Sequence, residues 1–73
     1  MDTFRHHIQR AVELAGSQRA LAEKAQISQQ LVSWLLSEAA PQVSAEVAVK
    51  IEKATAGKVK RQQLRPDLFG EAA

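Results

Sequence analysis

The chain contains no cysteine and no tyrosine. Nor does any apolar run in it reach the length needed to cross a bilayer. The missing cysteines exclude disulfides and thiolate metal sites. The short apolar runs argue against a membrane span, and no secretory signal pattern is present. A soluble, cytoplasmic protein is the expectation. Aromatic residues are scarce, being limited to Phe4, Trp34 and Phe69. Ala, Leu, Gln and Glu dominate instead, which is helix-forming material with few strand formers. Internal repeats and low-complexity segments are also lacking.

What is there fits one small domain. At 73 residues the core is thin unless a second copy buries more surface. The 45% of apolar residues is enough for a folded globule rather than a disordered chain. The net charge of +2 is mildly basic and compatible with a polyanionic partner, but does not demand one. The expected domain is residues 1–69, with 70–73 as a short tail.

Hydrophobic spacing predicts all-α structure: a compact bundle of four to five short helices. A first helix, capped by Asp2 or Thr3, runs to about Ala15 with Phe4, Ile8, Ala11, Val12 and Ala15 along its buried stripe. Gly16-Ser17 breaks it. Ser17 caps a second helix, Gln18 to Ala25, with Leu21, Ala22 and Ala25 inward and Arg19 able to pair with Glu23. Gln26-Ile27-Ser28 is a turn. Ser28 caps a third helix reaching about Ser37, whose core side is Val32, Leu35 and Leu36. A loop over Glu38–Val43 contains Pro41. Ser44 then caps a fourth helix with Val47, Ala48, Ile51 and Ala54 as its apolar face, and Gly57 ends it. Val43 and Ala48 can staple its start. Lys58–Arg65 is strongly basic. It accommodates a helical turn near Lys60–Leu64, because Pro66 disfavours helix at Arg65.

The second and third helices have the properties of a helix-turn-helix. Ala22 is small where two helices must cross, Ile27 fills the turn, and Val32 and Leu35 hold the third helix by one face. Successive residues advance ~100° around a helix. Gln30, Ser33 and Ser37 therefore point away from the core, with Gln29 to one side. A Gln amide can bond adenine bidentately, and a Ser hydroxyl can serve either kind of base edge. Ser28, Gln29, Gln30 and Ser33 are the candidate base-reading residues. Gln18 and Arg19, at the start of the second helix, are candidate phosphate contacts. In isolation Gln29, Gln30 and Ser33 read equally well as a solvated face. Trp34 points roughly 140° from the centre of the apolar face. It is a candidate DNA or dimer contact, or else packs on the Pro41 loop. Lys58, Lys60 and Arg61, with Arg65, are candidate DNA contacts or a solubilising segment.

QRALAEKAQISQQLVS resembles the Cro/C1 type of helix-turn-helix, the lambda repressor-like DNA-binding domain. Gln18 opens the motif, Leu21-Ala22 sits in its middle, Ile27 in its turn, and Ser28-Gln29 at the start of the reading helix. VSAEVAVKIEKATAGKVKRQQLRPDLF resembles the end of the YdaS-like family of small prophage Cro-type regulators and antitoxins, above all in Leu64-Arg65-Pro66-Asp67. The resemblance spans about Gly16 to Phe69. It implies a fold of about five helices and a transcriptional repressor that binds double-stranded operator DNA, commonly as a homodimer. Two positions depart from the motif. Gln26 replaces the usual turn glycine, which predicts an altered or slightly strained turn at ~1 kcal/mol. Trp34 is large and apolar one step earlier than usual.

No acid–base pair converges among Glu13, Glu23, Glu38, Glu46 and Glu52, and no nucleophile–base set or glycine-rich phosphate loop is present. The expectation is a protein that is not an enzyme, with no cofactor and no metal site. His6-His7 cannot share a metal, because adjacent helical residues diverge. The rival reading is an antitoxin or protein-interaction module that neutralises a toxin or other partner, motivated by Leu31 and Trp34 three residues apart on one helix.

Overall fold

The computed structural model describes residues 4–37 and 42–69. The expected cap at Asp2 or Thr3, most of the Pro41 loop and the 70–73 tail lie outside the described residues. Six helices follow in order: α1 Phe4–Ala15, α2 Gln18–Ala25, α3 Gln29–Leu36, α4 Ala45–Ala54, α5 Arg61–Leu64 and α6 Pro66–Phe69. No strand occurs among the described residues.

Serine starts three of these helices in the same way. The Ser17, Ser28 and Ser44 hydroxyls accept the N–H three residues on, from Ala20 at 3.0 Å, Leu31 at 2.9 Å and Val47 at 3.2 Å. Each satisfies a backbone donor that the helix itself cannot. Helix ends are equally defined. After α2, Gln26 adopts a left-handed conformation (φ 59°). Its N–H donates to Glu23 O at 3.3 Å and the Ile27 N–H to Ala22 O at 2.9 Å, the paired bonds of a Schellman stop. The same pair closes α4, where Ala56 donates to Lys53 O and Gly57 to Glu52 O. Ala56 (φ 55°) takes the left-handed position of the stop, and Gly57 one step beyond also has a positive φ (83°). The stop thus falls one residue before the glycine that was expected to supply it.

The core is aliphatic. Ile8, Leu21, Val32, Leu35, Val43, Ile51 and Val59 are its largest fully buried side chains. Ala11, Ala22, Ala25 and Ala48 are buried between them, and their small size lets helices approach closely. Phe4, Ala15, Leu36, Val47 and Ala54 are half-buried at the edges of the predicted stripes. Val59 and Leu64 join the core from the basic segment, which therefore does not simply hang in solvent.

Two polar devices hold the C-terminal third. Thr55 is buried, donating its hydroxyl to Ile51 O at 3.0 Å and accepting the Val59 N–H at 3.1 Å. Arg65 forks onto Asp67 at 2.9 and 2.6 Å and donates to the Val43 carbonyl at 2.9 Å. Pro66 opens α6, where its missing N–H costs nothing. The fork thus clasps the last two helical turns to the leader of α4. α6 is one element more than the sequence pattern suggested, because one turn starting at proline has no periodicity to read.

Removing the Thr55 hydroxyl would strand a buried N–H. Thr55→Val should lower stability by about 2 kcal/mol and Thr55→Ser by much less, read from urea midpoints. The Arg65 fork holds the Asp67 carboxyl below its usual range, and the Arg61 hydrogen bond does the same for Glu52. Carboxyls depressed in the folded state contribute stability above their unfolded pKa and lose it as pH falls through the folded value. The thermal midpoint should therefore fall as pH drops below about 4. The Glu52→Gln, Asp67→Asn double variant should show a shallower acid decline, and an unchanged decline would exclude these pairs as its cause.

Candidate functional site

The site grows from the α2–α3 turn. Leu21, Ala22 and Ala25 bury one face of α2, and Ile27 packs half-buried against the core at the angle between the helices. α3 is then fixed by Val32 and Leu35, which are both buried. Its outer side is left to Gln29, Gln30, Ser33 and Trp34, all exposed. The side chains of Gln29, Gln30 and Ser33 make no hydrogen bond to another described residue, so their donors and acceptors are open to an external partner. Ser28 is exposed too, but its hydroxyl oxygen is engaged by the Leu31 N–H, which makes it a helix cap first.

The surrounding charges divide into committed and uncommitted groups. Arg19 is exposed and touches Glu23 at 3.4 Å, a solvated i,i+4 pair of small energy. Gln18 is half-buried at the first position of α2. Lys50 pairs with Glu46 at 3.5 Å. Arg61, a candidate DNA contact or part of a solubilising segment, is half-buried and engaged within the chain. Its Nε–H reaches Glu52 at 2.6 Å, and its guanidinium lies 5.5 Å from the centre of the Phe69 ring. Arg65 is held by Asp67 and Val43, and the hydrogen bond it donates to the Asp67 carboxylate raises its pKa further. Two of the four cations of the basic segment are therefore structural, while Lys58 and Lys60 are exposed. Among the described residues, Arg10, Lys24, Lys53, Lys58 and Lys60 form no ion pair. Glu23, Glu46, Glu52 and Asp67 are each neutralised by a neighbour.

Trp34 does not fill the core. It is 42% exposed and borders a cleft of about 370 Å³ with Leu31, Leu35, Val47 and Leu68. Leu68 on α6 is 54% exposed, whereas Phe69 packs half-buried on the core. Phe69 is thus the core contact and Leu68 the surface residue. The Pro41 contact considered for Trp34 lies outside the described residues. No group of three metal-ligating side chains exists among the described residues.

One contact at the site has no signature in the sequence. The Arg5 Nε–H donates to the Ser37 carbonyl at 2.7 Å, across 32 residues. Only the rotation of α1 about α3 brings the two together, and no spacing rule covers it.

A family model described as bacterial toxin YdaS matches residues 8–73 of the chain. Comparison with curated proteins gave no match, and comparison with solved structures gave none.

The left-handed residues that shape this scaffold carry a local cost. Gln26→Gly and Ala56→Gly should each raise stability by about 0.5–1 kcal/mol, partly offset by glycine's unfolded-state entropy. The two changes should be additive, since they close different helices. Thermal or urea midpoints check this, and a fall in stability for Gln26→Gly would mean that its side chain contributes more than the strain costs.

Proposed function

The chain belongs to the YdaS toxin family, and from that premise we propose that it is a prophage-type regulator that reads operator DNA with α3. The observation that carries this reading is the uncommitted polar row Gln29, Gln30 and Ser33 on a helix gripped by its opposite face. In a helix-turn-helix such a row enters the major groove, where Gln amides and Ser hydroxyls match base edges. Ser28 starts the helix and lies beside the first base. Gln18 and Arg19 hold phosphates at the start of α2, and the surplus of unpaired lysines supplies the salt-dependent attraction. Repression is the simplest outcome, since an occupied operator excludes polymerase. The toxicity in the family description follows naturally if excess protein silences needed promoters.

A homodimer is part of the proposal. Two copies related by a two-fold axis would place their reading helices on half-sites about 34 Å apart. Trp34, Leu31 and the α5–α6 segment are the surfaces proposed for that contact. The protein acts in the cytoplasm, by binding rather than catalysis, and requires no cofactor.

A second reading is favoured by one observation: the apolar cleft between Trp34, Leu31 and Leu68. It makes the chain a toxin–antitoxin component whose target is a partner protein, with DNA binding secondary. The two readings separate cleanly. No mobility shift of upstream DNA at low salt, together with co-purification of a neighbouring gene product that Trp34→Ala abolishes, would favour the second.

Selection from random DNA should yield a short palindrome-like sequence. On that sequence Gln29→Ala and Gln30→Ala should each cost about 1–3 kcal/mol of binding, while leaving affinity for scrambled DNA nearly unchanged. Equal losses on selected and scrambled DNA would defeat the assignment of these two side chains as base readers.

A further inference from the structure

We infer that Arg5 is a positioning residue for α3: through Ser37 it fixes the C-terminal end of that helix, and so the angle at which Gln29, Gln30 and Ser33 are presented. The inference rests on the DNA-reading proposal for its consequence, though not for its geometry.

α3 has eight residues, far fewer than an isolated helix needs for stability in water. Its N-terminal end is held by the Ser28 cap and the Schellman turn at Gln26-Ile27. Its middle is held by the buried Val32 and Leu35, with Leu31 and Leu36 half-buried at the edges of that face. At the far end the chain leaves the helix at Ser37, where the backbone is extended (φ −81°, ψ 162°). The Ser37 N–H and hydroxyl both donate to the Trp34 carbonyl, at 3.0 and 2.6 Å, closing the last turn on itself. The Ser37 carbonyl then accepts the Arg5 Nε–H at 2.7 Å. A closed turn is thus pinned to a different helix.

Arginine suits this position. Its planar guanidinium donates in a fixed direction and lies 5.2 Å from the centre of the Phe4 ring, which restricts its rotamers. Its charge also faces the negative end of the α3 dipole. The anchor matters for reading because bidentate base contacts tolerate little displacement, and a helix pinned at one end only can swing at the other. Arg5 lies ahead of the residues matched by the family model.

Arg5→Met removes the donor and the charge, while Arg5→Lys keeps the charge and loses the planar donor. At a temperature where all three proteins are fully folded by circular dichroism, both variants should lower the ratio of affinities for selected over scrambled DNA by about tenfold. The slope of log affinity against log salt should stay as in the parent protein. A purely structural role would lower the melting temperature and leave that ratio unmoved. A phosphate contact would instead weaken both DNAs alike and reduce the salt slope by about one in Arg5→Met. Either result overturns the inference. Amide exchange is a readout that needs no DNA: in both variants the amides of Leu35, Leu36 and Ser37 should exchange faster than in the parent, and unchanged exchange overturns the anchor. A parent protein that fails to discriminate between DNAs would sink the proposed function instead, leaving the exchange result to decide the anchor by itself.

Discussion

Everything in this fold leans on how closely α2 can be approached. It is a helix of eight residues, yet α1, α3 and α4 all pack against it. That is feasible because Ala22 and Ala25 take two of its three buried positions, leaving Leu21 as the single large side chain. A methyl group at these sites sets the distance between helix axes, and a longer side chain would push at least one neighbour away. The turn into α3 depends on the same residue. The Ala22 carbonyl accepts the Ile27 N–H, so the atom that ends α2 belongs to the residue that lets its neighbours in. Packing and turn are thereby coupled, and the direction in which α3 leaves is decided at Ala22.

Much of this was legible in the sequence because it is local. A serine three residues before the N–H it caps is a short-range signal, and all three such caps are present. Apolar spacing over α1 to α4 gave the buried faces for the same reason, since a helix of known period has only one stripe. The left-handed residue after α2 was legible too, although glutamine is an unusual occupant. The close of α4 was harder. Composition points to Gly57 alone, yet Ala56 and Gly57 both have positive φ. The hydrogen bonds from Ala56 to Lys53 and from Gly57 to Glu52 put the alanine first in the stop.

What could not be read is long-range. Arg5 meets Ser37, and Arg65 meets Val43, through orientations of whole helices that no local pattern encodes. The Leu64-Arg65-Pro66-Asp67 ending is a case where the motif was visible and its physical role was not. Leu64 is a core residue, Arg65 clasps the chain ahead of α4, Pro66 opens a helical turn and Asp67 neutralises the arginine. A run of cations that suggests nucleic acid in one dimension thus splits in three, with Arg61 and Arg65 turned to internal partners and Lys58 and Lys60 to solvent.

The candidate reading helix illustrates a constraint on any small binding domain. A residue that faces outward contributes nothing to the core, and α3 gives half its eight positions to the exposed Gln29, Gln30, Ser33 and Trp34. The remaining four, Leu31, Val32, Leu35 and Leu36, pack on the core, but a helix of eight residues also needs its ends held. The order of α3 is therefore borrowed: from a serine cap at its start, from a Schellman turn that costs a left-handed glutamine, and from a guanidinium supplied by α1. The scaffold accepts strain at Gln26 because the turn there fixes which side of α3 faces outward. Trp34 follows from the same logic. Only a face that is not needed for packing can carry a large apolar side chain in solvent, and α3 leaves Trp34 42% exposed beside the cleft it shares with Leu31 and Leu68.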